Sequence, residues 1–110
     1  MKPEHAAQRV TIYVGETDHH DGHALYEAIV TMLRANGVAG AMVTRGMLGY
    51  GASGRTHSAH LLDLAEDLPV AIVFVDSAEK VQSVMPELDR MLETGLVTIE
   101  DVRAVTYGLG

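Results

Sequence analysis

The chain is predicted to fold as an α+β domain, a four-stranded antiparallel sheet with two helices on one face. Three observations predict it. Short apolar runs rich in β-branched residues stand at 10–14 and 70–75, as half-buried or buried strands do. Two other segments repeat apolar residues at helical spacing: Leu25, Ala28, Ile29, Met32 and Leu33 in one, and Val81, Val84, Met85, Leu88, Met91 and Leu92 in the other. Glycine, proline, asparagine and aspartate stand at the junctions between these runs, where chain reversals need them.

The elements follow in order. Residues 10–14 form the first strand and stop at Gly15. Residues 24–35 form a helix whose stripe is widened by Tyr26 and Val30, and Asn36-Gly37 stops it, Gly37 suiting the left-handed C′ position. A second strand is expected over 38–48. The segment 58–66 fits two elements: Leu61, Leu62, Leu64 and Ala65 suit a short helix, and His60, Leu62 and Leu64 a strand edge. It reads as the returning arm of a hairpin. Residues 70–75 form a strand after Leu68-Pro69. The second helix is capped by Asp76 or Ser77 and ended by Gly95, with Pro86 expected to kink it near Gln82. Residues 97–105 supply the last strand. This βαββαβ order is that of the split βαβ, or ferredoxin-like, arrangement. Many residues of the uncovered sheet face are apolar, so self-association is expected.

At 110 residues the chain makes one domain, with flexible ends expected at about 1–8 and 107–110 and a projecting loop at about 46–58. A net charge of −7 argues against a nucleic-acid binder, which needs a basic face; a small anionic ligand needs only two or three placed cations. The absence of cysteine excludes disulfides and thiolate metal sites. The start Met1-Lys2-Pro3-Glu4-His5 lacks the apolar segment of a signal peptide, and no apolar run is long enough to span a bilayer. A cytoplasmic protein without membrane insertion is expected.

The richest chemistry lies at Arg45-Gly46-Met47-Leu48-Gly49-Tyr50-Gly51-Ala52-Ser53-Gly54-Arg55-Thr56-His57. Glycines let backbone N–H groups turn toward an anion. Tyr50 could cover a flat ring, and Arg45 and Arg55 could meet negative charge.

Other motifs are weaker. Gly49-Tyr50-Gly51-Ala52-Ser53-Gly54 matches G-x-G-x-x-G, but Asp76 stands too far on for the acid of a dinucleotide fold, and Arg45 interrupts the strand before it. His19, His20 and His23, with Asp18 and Asp21, offer imidazole and carboxylate ligands for a divalent metal; His19 and His23 could share a helix face, although Gly22 weakens such a helix. His57 and His60 form a second pair. Ser53 or Ser58 beside His57, with Asp63, suggests a nucleophile and base, but no spacing enforces that geometry. Glu66-Asp67 and Glu100-Asp101 read as solvent-facing charge. No catalytic residue is assigned, and an enzyme acting on a nucleotide or small anion is the least supported class.

Taken together, Val10-Thr11-Ile12-Tyr13-Val14-Gly15-Glu16, Leu25-Tyr26-Glu27-Ala28-Ile29, Gly37-Val38-Ala39-Gly40-Ala41, Arg45-Gly46-Met47-Leu48-Gly49-Tyr50-Gly51, Glu66-Asp67-Leu68-Pro69-Val70, Pro86-Glu87-Leu88 and Gly95-Leu96-Val97-Thr98 resemble family 190 of the domains of unknown function, whose members are PII-like. The resemblance covers residues 9–106. It implies a homotrimer in which the loop between the second and third strands reaches partner proteins, and in which adenine nucleotides bind at the loop's base between neighbouring subunits. Arg45, Gly46, Gly49 and Gly51 would form that base. Gly40 and Ala41 would face a neighbour's cleft, and the stretch Gly95-Leu96-Val97-Thr98 would line its far wall. A membrane transporter or channel is implied as a regulated partner. The chain departs from PII proteins in lacking a lysine in Thr94-Gly95-Leu96-Val97 and in carrying Ala104 and Thr106 where paired arginines stand. Fewer cations favour ADP or AMP over a triphosphate. A CutA-like trimer holding a divalent metal through His19, His20 and His23 is the alternative.

Overall fold

The computed structural model describes residues 3–52 and 67–108. The first strand, β1 (Glu4–Gly15), is followed by two-residue strands β2 (His19–His20) and β3 (His23–Ala24), and then by α1 (Leu25–Ala35). β4 (Met42–Arg45), β5 (Pro69–Asp76), α2 (Ala78–Met91) and β6 (Leu96–Val105) complete the elements of the described residues. The main sheet has the order β4-β5-β1-β6, with every neighbouring pair antiparallel. That is the order the βαββαβ reading requires, because each helical crossover skips one strand.

Val10, Ile12 and Val14 of β1 and Val70, Ile72 and Phe74 of β5 point to the helix side and are buried. Leu25, Ile29, Met32 and Leu33 of α1 and Val81, Val84 and Leu88 of α2 close over them. The helical stripes predict these contacts.

Local chemistry explains the ends of the helices. Gly37, at φ +83°, donates to Arg34 O at 3.1 Å while Val38 donates to Leu33 O at 3.1 Å, the paired bonds of a Schellman motif. Lys80 Nζ adds a bond of 2.9 Å to Asn36 O, placing a cation at the negative end of α1. Ser77 Oγ, rather than Asp76, accepts from Lys80 N at 3.1 Å and caps α2. The helix continues as one element through Pro86; Pro86 and Gln82 are both exposed, so water can satisfy the carbonyl that the proline leaves free.

Four expectations are corrected. β1 begins at Glu4, and residues 4–8, expected in a flexible end, pair with β6. The second strand is short, Met42–Arg45, because Gly40 and Gly46 flank it and only β5 supports it. Gly95 does not end α2, which is capped at Leu92. Residues 19–24, where a helix could have joined His19 and His23, form the β2–β3 hairpin, with Asp21 at φ +50° and Gly22 at φ +81°, the two positive angles of a type I′ turn. The hairpin also starts α1, since Leu25 N donates to Asp18 O at 2.8 Å and Ala24 provides no side-chain cap. The segment 58–66 lies outside the described residues. Among the described residues, no helix is long and apolar enough to cross a membrane.

Among the described residues, no helix lies over the other sheet face. Directly opposed residues share a face, so the register builds rows across it: Met42, Val73, Thr11 and Thr98 in one, and Thr44, Ala71, Tyr13 and Leu96 in the next. Met42 is 60% exposed and Leu96 57%. Among the described residues, the apolar face expected to lack a helix is therefore present.

Ile72 is fully buried between the sheet and helices, so Ile72→Ala should lower the unfolding free energy by about 2–5 kcal/mol through lost burial and a residual cavity. Urea unfolding followed by circular dichroism checks it.

Candidate functional site

The strand pairing decides which predicted residues can meet. Arg45, at the end of β4, stands opposite Val70, and Gly46 N donates to Pro69 O at 2.8 Å. Gly46 and Gly49 both press on the Pro69 ring: a Cβ on Gly49 would come within 2.9 Å of Pro69 Cγ, and one on Gly46 within 3.0 Å. Tyr50 is exposed, and Gly51 takes φ +97°. Gly40 and Ala41 are exposed beyond the opposite end of β4. Arg55 lies outside the described residues, as do Ser53, His57, Ser58, His60 and Asp63.

Gly95 and Thr98 lie along the other margin of the sheet. Gly95, at φ +131°, lies so close to β1 that an added Cβ would fall 2.7 Å from Tyr13 O. Thr98 faces Thr11. β4 and β6 are opposite edges of the sheet, and three strand spacings separate them by about 14 Å. Within one subunit, the two groups of predicted ligand residues are not brought together.

Arg45 is held by a partner that its own segment does not reveal. Its Nη1 donates to Glu16 Oε2 at 2.6 Å, with the Arg45 side chain 62% exposed and that of Glu16 27%. The hydrogen bond to Glu16 and then that residue's negative charge raise the guanidinium pKa above its ordinary value. Arg45 is thus a permanent cation already facing a carboxylate.

Glu16 and its neighbour Thr17 also grip the returning end of the loop. Glu16 N donates to Leu68 O at 2.8 Å. Thr17 donates to Asp67 Oδ1 from its backbone N at 3.2 Å and from Oγ1 at 2.8 Å. Asp67, expected to be solvent-facing charge, is a buttress of the loop. Glu100 and Asp101 have partners too: Arg9 makes two bonds to Glu100, and Gln8 Nε2 donates to Asp101. Arg103 stands 3.6 Å from Glu4.

The alternative metal ligands His19, His20 and His23 do not converge within this chain. His19 pairs with Ala24 and His20 with His23 across the hairpin, so adjacent His19 and His20 point to opposite faces and no helix places His19 and His23 together. His20 Nε2 lies 3.4 Å from Asp21 Oδ2. Among the described residues, no three His, Asp or Glu side chains are placed to hold a metal ion. A cavity of about 660 Å³ opens beside the hairpin, with Thr17, Asp18, His20, Arg90 and Glu93 in its lining. Among the described residues, none of those predicted for the nucleotide site lines it.

Glu16, Thr17, Asp67 and Pro69 are the residues missed by reading the sequence. Their partners lie 29 to 50 residues away in the pairs Glu16–Arg45 and Thr17–Asp67, and no local periodicity marks them.

An antiparallel sheet of this order, with two helices on one face among the described residues, is a PII-like ferredoxin fold. The chain belongs to the DUF190 family, whose model, described as Uncharacterized ACR, matches residues 7–104. It is 34% identical over 96 residues to the UPF0166 protein MJ1524 of Methanocaldococcus jannaschii, covering 86% of this chain and 88% of that protein. A UPF0166 protein of Aquifex aeolicus is 29% identical over 94 residues, covering 86% and 89%. Among solved structures, CPII of Thiomonas intermedia bound to ADP, AMP and acetate superposes with a TM-score of 0.68 at 15% identity, over 94% of this chain and 93% of that one. A putative PII-like signaling protein of Thermus thermophilus superposes with a TM-score of 0.63 at 16% identity, over 93% and 92%.

Gly95→Ala should cost roughly 1–3 kcal/mol in unfolding free energy, because the new methyl meets the Tyr13 carbonyl while the backbone is held at positive φ. Gly51→Ala should cost less, since among the described residues no atom lies within 4 Å of its Cβ position. Paired denaturant titrations compare the two.

Proposed function

We propose that the chain is a PII-like regulatory protein that binds an adenine nucleotide, ADP or AMP, between subunits of a trimer and signals through the loop at 46–58. The observation that carries this reading is the division of the ligand residues between the two edges of one sheet. A cleft using both groups needs the β4 edge of one subunit and the β6 edge of another. The uncovered rows containing Met42, Val73, Tyr13 and Leu96 give the subunits a reason to associate, since burying apolar area is favourable.

In such a cleft Arg45 and the loop N–H groups take the phosphate, and Gly40 and Ala41 contribute a surface without long side chains. Gly95 and Thr98 of a neighbouring subunit form the far wall. Tyr50 and Arg55 act from the loop itself. The ligand biases the loop only by binding its two arrangements with different affinity, and a protein partner reads the result. A membrane transporter or channel is the partner class that the resemblance implies. The ADP and AMP held by CPII support the choice of nucleotide, and the shortage of cations favours short phosphate chains.

The test is a thermal-shift and calorimetric titration with ADP and AMP, with the mass in solution measured by light scattering. A trimer is expected, with a melting temperature that rises with nucleotide concentration, as mass action requires. Arg45→Ala should weaken binding several-fold or more through loss of a charged phosphate contact. A protein that binds neither nucleotide contradicts the reading, and so does one that binds them as a monomer.

A further inference from the structure

Arg45 is the cation assigned to the ligand phosphate, yet it already faces a carboxylate. Glu16 Oε2 lies 2.6 Å from Arg45 Nη1. A guanidinium has five N–H donors and can turn another edge outward, but its charge is not divisible in the same way. With Glu16 in contact, the pair carries no net charge, and an approaching phosphate meets a second anion within a few ångströms.

Glu16 also occupies a particular mechanical position. Its side chain holds Arg45 at the outgoing stem of the loop, and its backbone N–H holds Leu68 at the returning stem. Thr17, the next residue, holds Asp67 on that same returning stem. A change at Glu16 is therefore felt where the loop leaves the sheet and next to where it comes back.

We infer that Glu16 is the internal competitor of the anionic ligand at Arg45, so that phosphate binding displaces its carboxylate and unfastens the outgoing stem of the loop. This rests on the reading that Arg45 takes the phosphate. The ligand then has higher affinity for the arrangement in which Glu16 has turned away, which is the difference in affinity that a switch requires. Glu16 itself contacts no ligand; it is a positioning residue for the loop and sets the affinity of the site.

The experiment is calorimetric titration of the full chain with ADP and with AMP, for wild type, Glu16→Gln, Arg45→Ala and the double variant. Glu16→Gln preserves size and an acceptor oxygen while removing the charge. It should tighten binding by about two- to five-fold, the range expected for removing one exposed charge pair. That gain should vanish in the Arg45→Ala background, because the cycle isolates the coupling between the two residues. Glu16→Asp, which draws the carboxylate back by one methylene, should tighten binding in the same direction and serves if Glu16→Gln does not fold.

Equal or weaker binding by both Glu16 variants, with Arg45→Ala still weakened, overturns the competitor role and leaves the nucleotide reading standing. A gain that persists without Arg45 also overturns it. Absence of ADP and AMP binding in wild type and every variant overturns the functional reading and this inference together.

Discussion

Strand β1 is hydrogen-bonded along both edges, to β5 on one side and to β6 on the other, and the position of every functional group depends on that central strand. Its inward residues Val10, Ile12 and Val14 carry the helices. Its outward residue Tyr13 stands in an uncovered row, and its carbonyl leaves room for no side chain on Gly95. Its end at Gly15 delivers Glu16 and Thr17 to the stems of the loop. A strand buried on one face and paired on both sides is the most constrained element of such a sheet, so the residues just after it are placed reproducibly even where the chain continues as a loop.

The same sheet separates functions. Its helix side is a closed core of Ile29, Leu33, Ile72, Phe74, Val84 and Leu88, while its other side carries apolar residues that no described helix covers. Its two edges carry different chemistry: arginine and glycines along β4 and after it, glycine and threonine at the start of β6. An edge strand offers unpaired backbone groups that natural proteins cover or blunt. A cleft between subunits would cover both edges and bring their chemistry together.

Much of this is legible in the sequence, for identifiable reasons. The two helices have strong apolar periodicity, and Gly37 occupies the C′ position that its place after Asn36 suggests. β5 is legible as a continuous apolar run, with Val70, Ile72 and Phe74 on the helix side and Ala71 and Val73 on the other face. Gly95 misleads: a glycine after a helical stripe resembles a helix stop, whereas its requirement comes from the distant Tyr13 carbonyl. Asp21-Gly22 is itself a hairpin signal, obscured by the histidines around it. The loop's glycines and Arg45 stand out as chemistry, but the Glu16–Arg45 and Thr17–Asp67 bonds join segments that meet only after the sheet has formed. The proposed cleft is illegible in one chain's pattern, because its two walls would belong to opposite edges.

The most direct measurement is hydrogen–deuterium exchange of the protein with and without saturating ADP, observed at the Glu16 and Gly46 amides, which donate to Leu68 O and Pro69 O. The account predicts slow exchange at both amides without ligand and a clear change in rate when ADP binds, while the Ile12 and Ile72 amides in the sheet keep theirs. Bound ADP with unaltered exchange at Glu16 and Gly46 would contradict it, for the ligand would then occupy its site without reaching the stems of the loop.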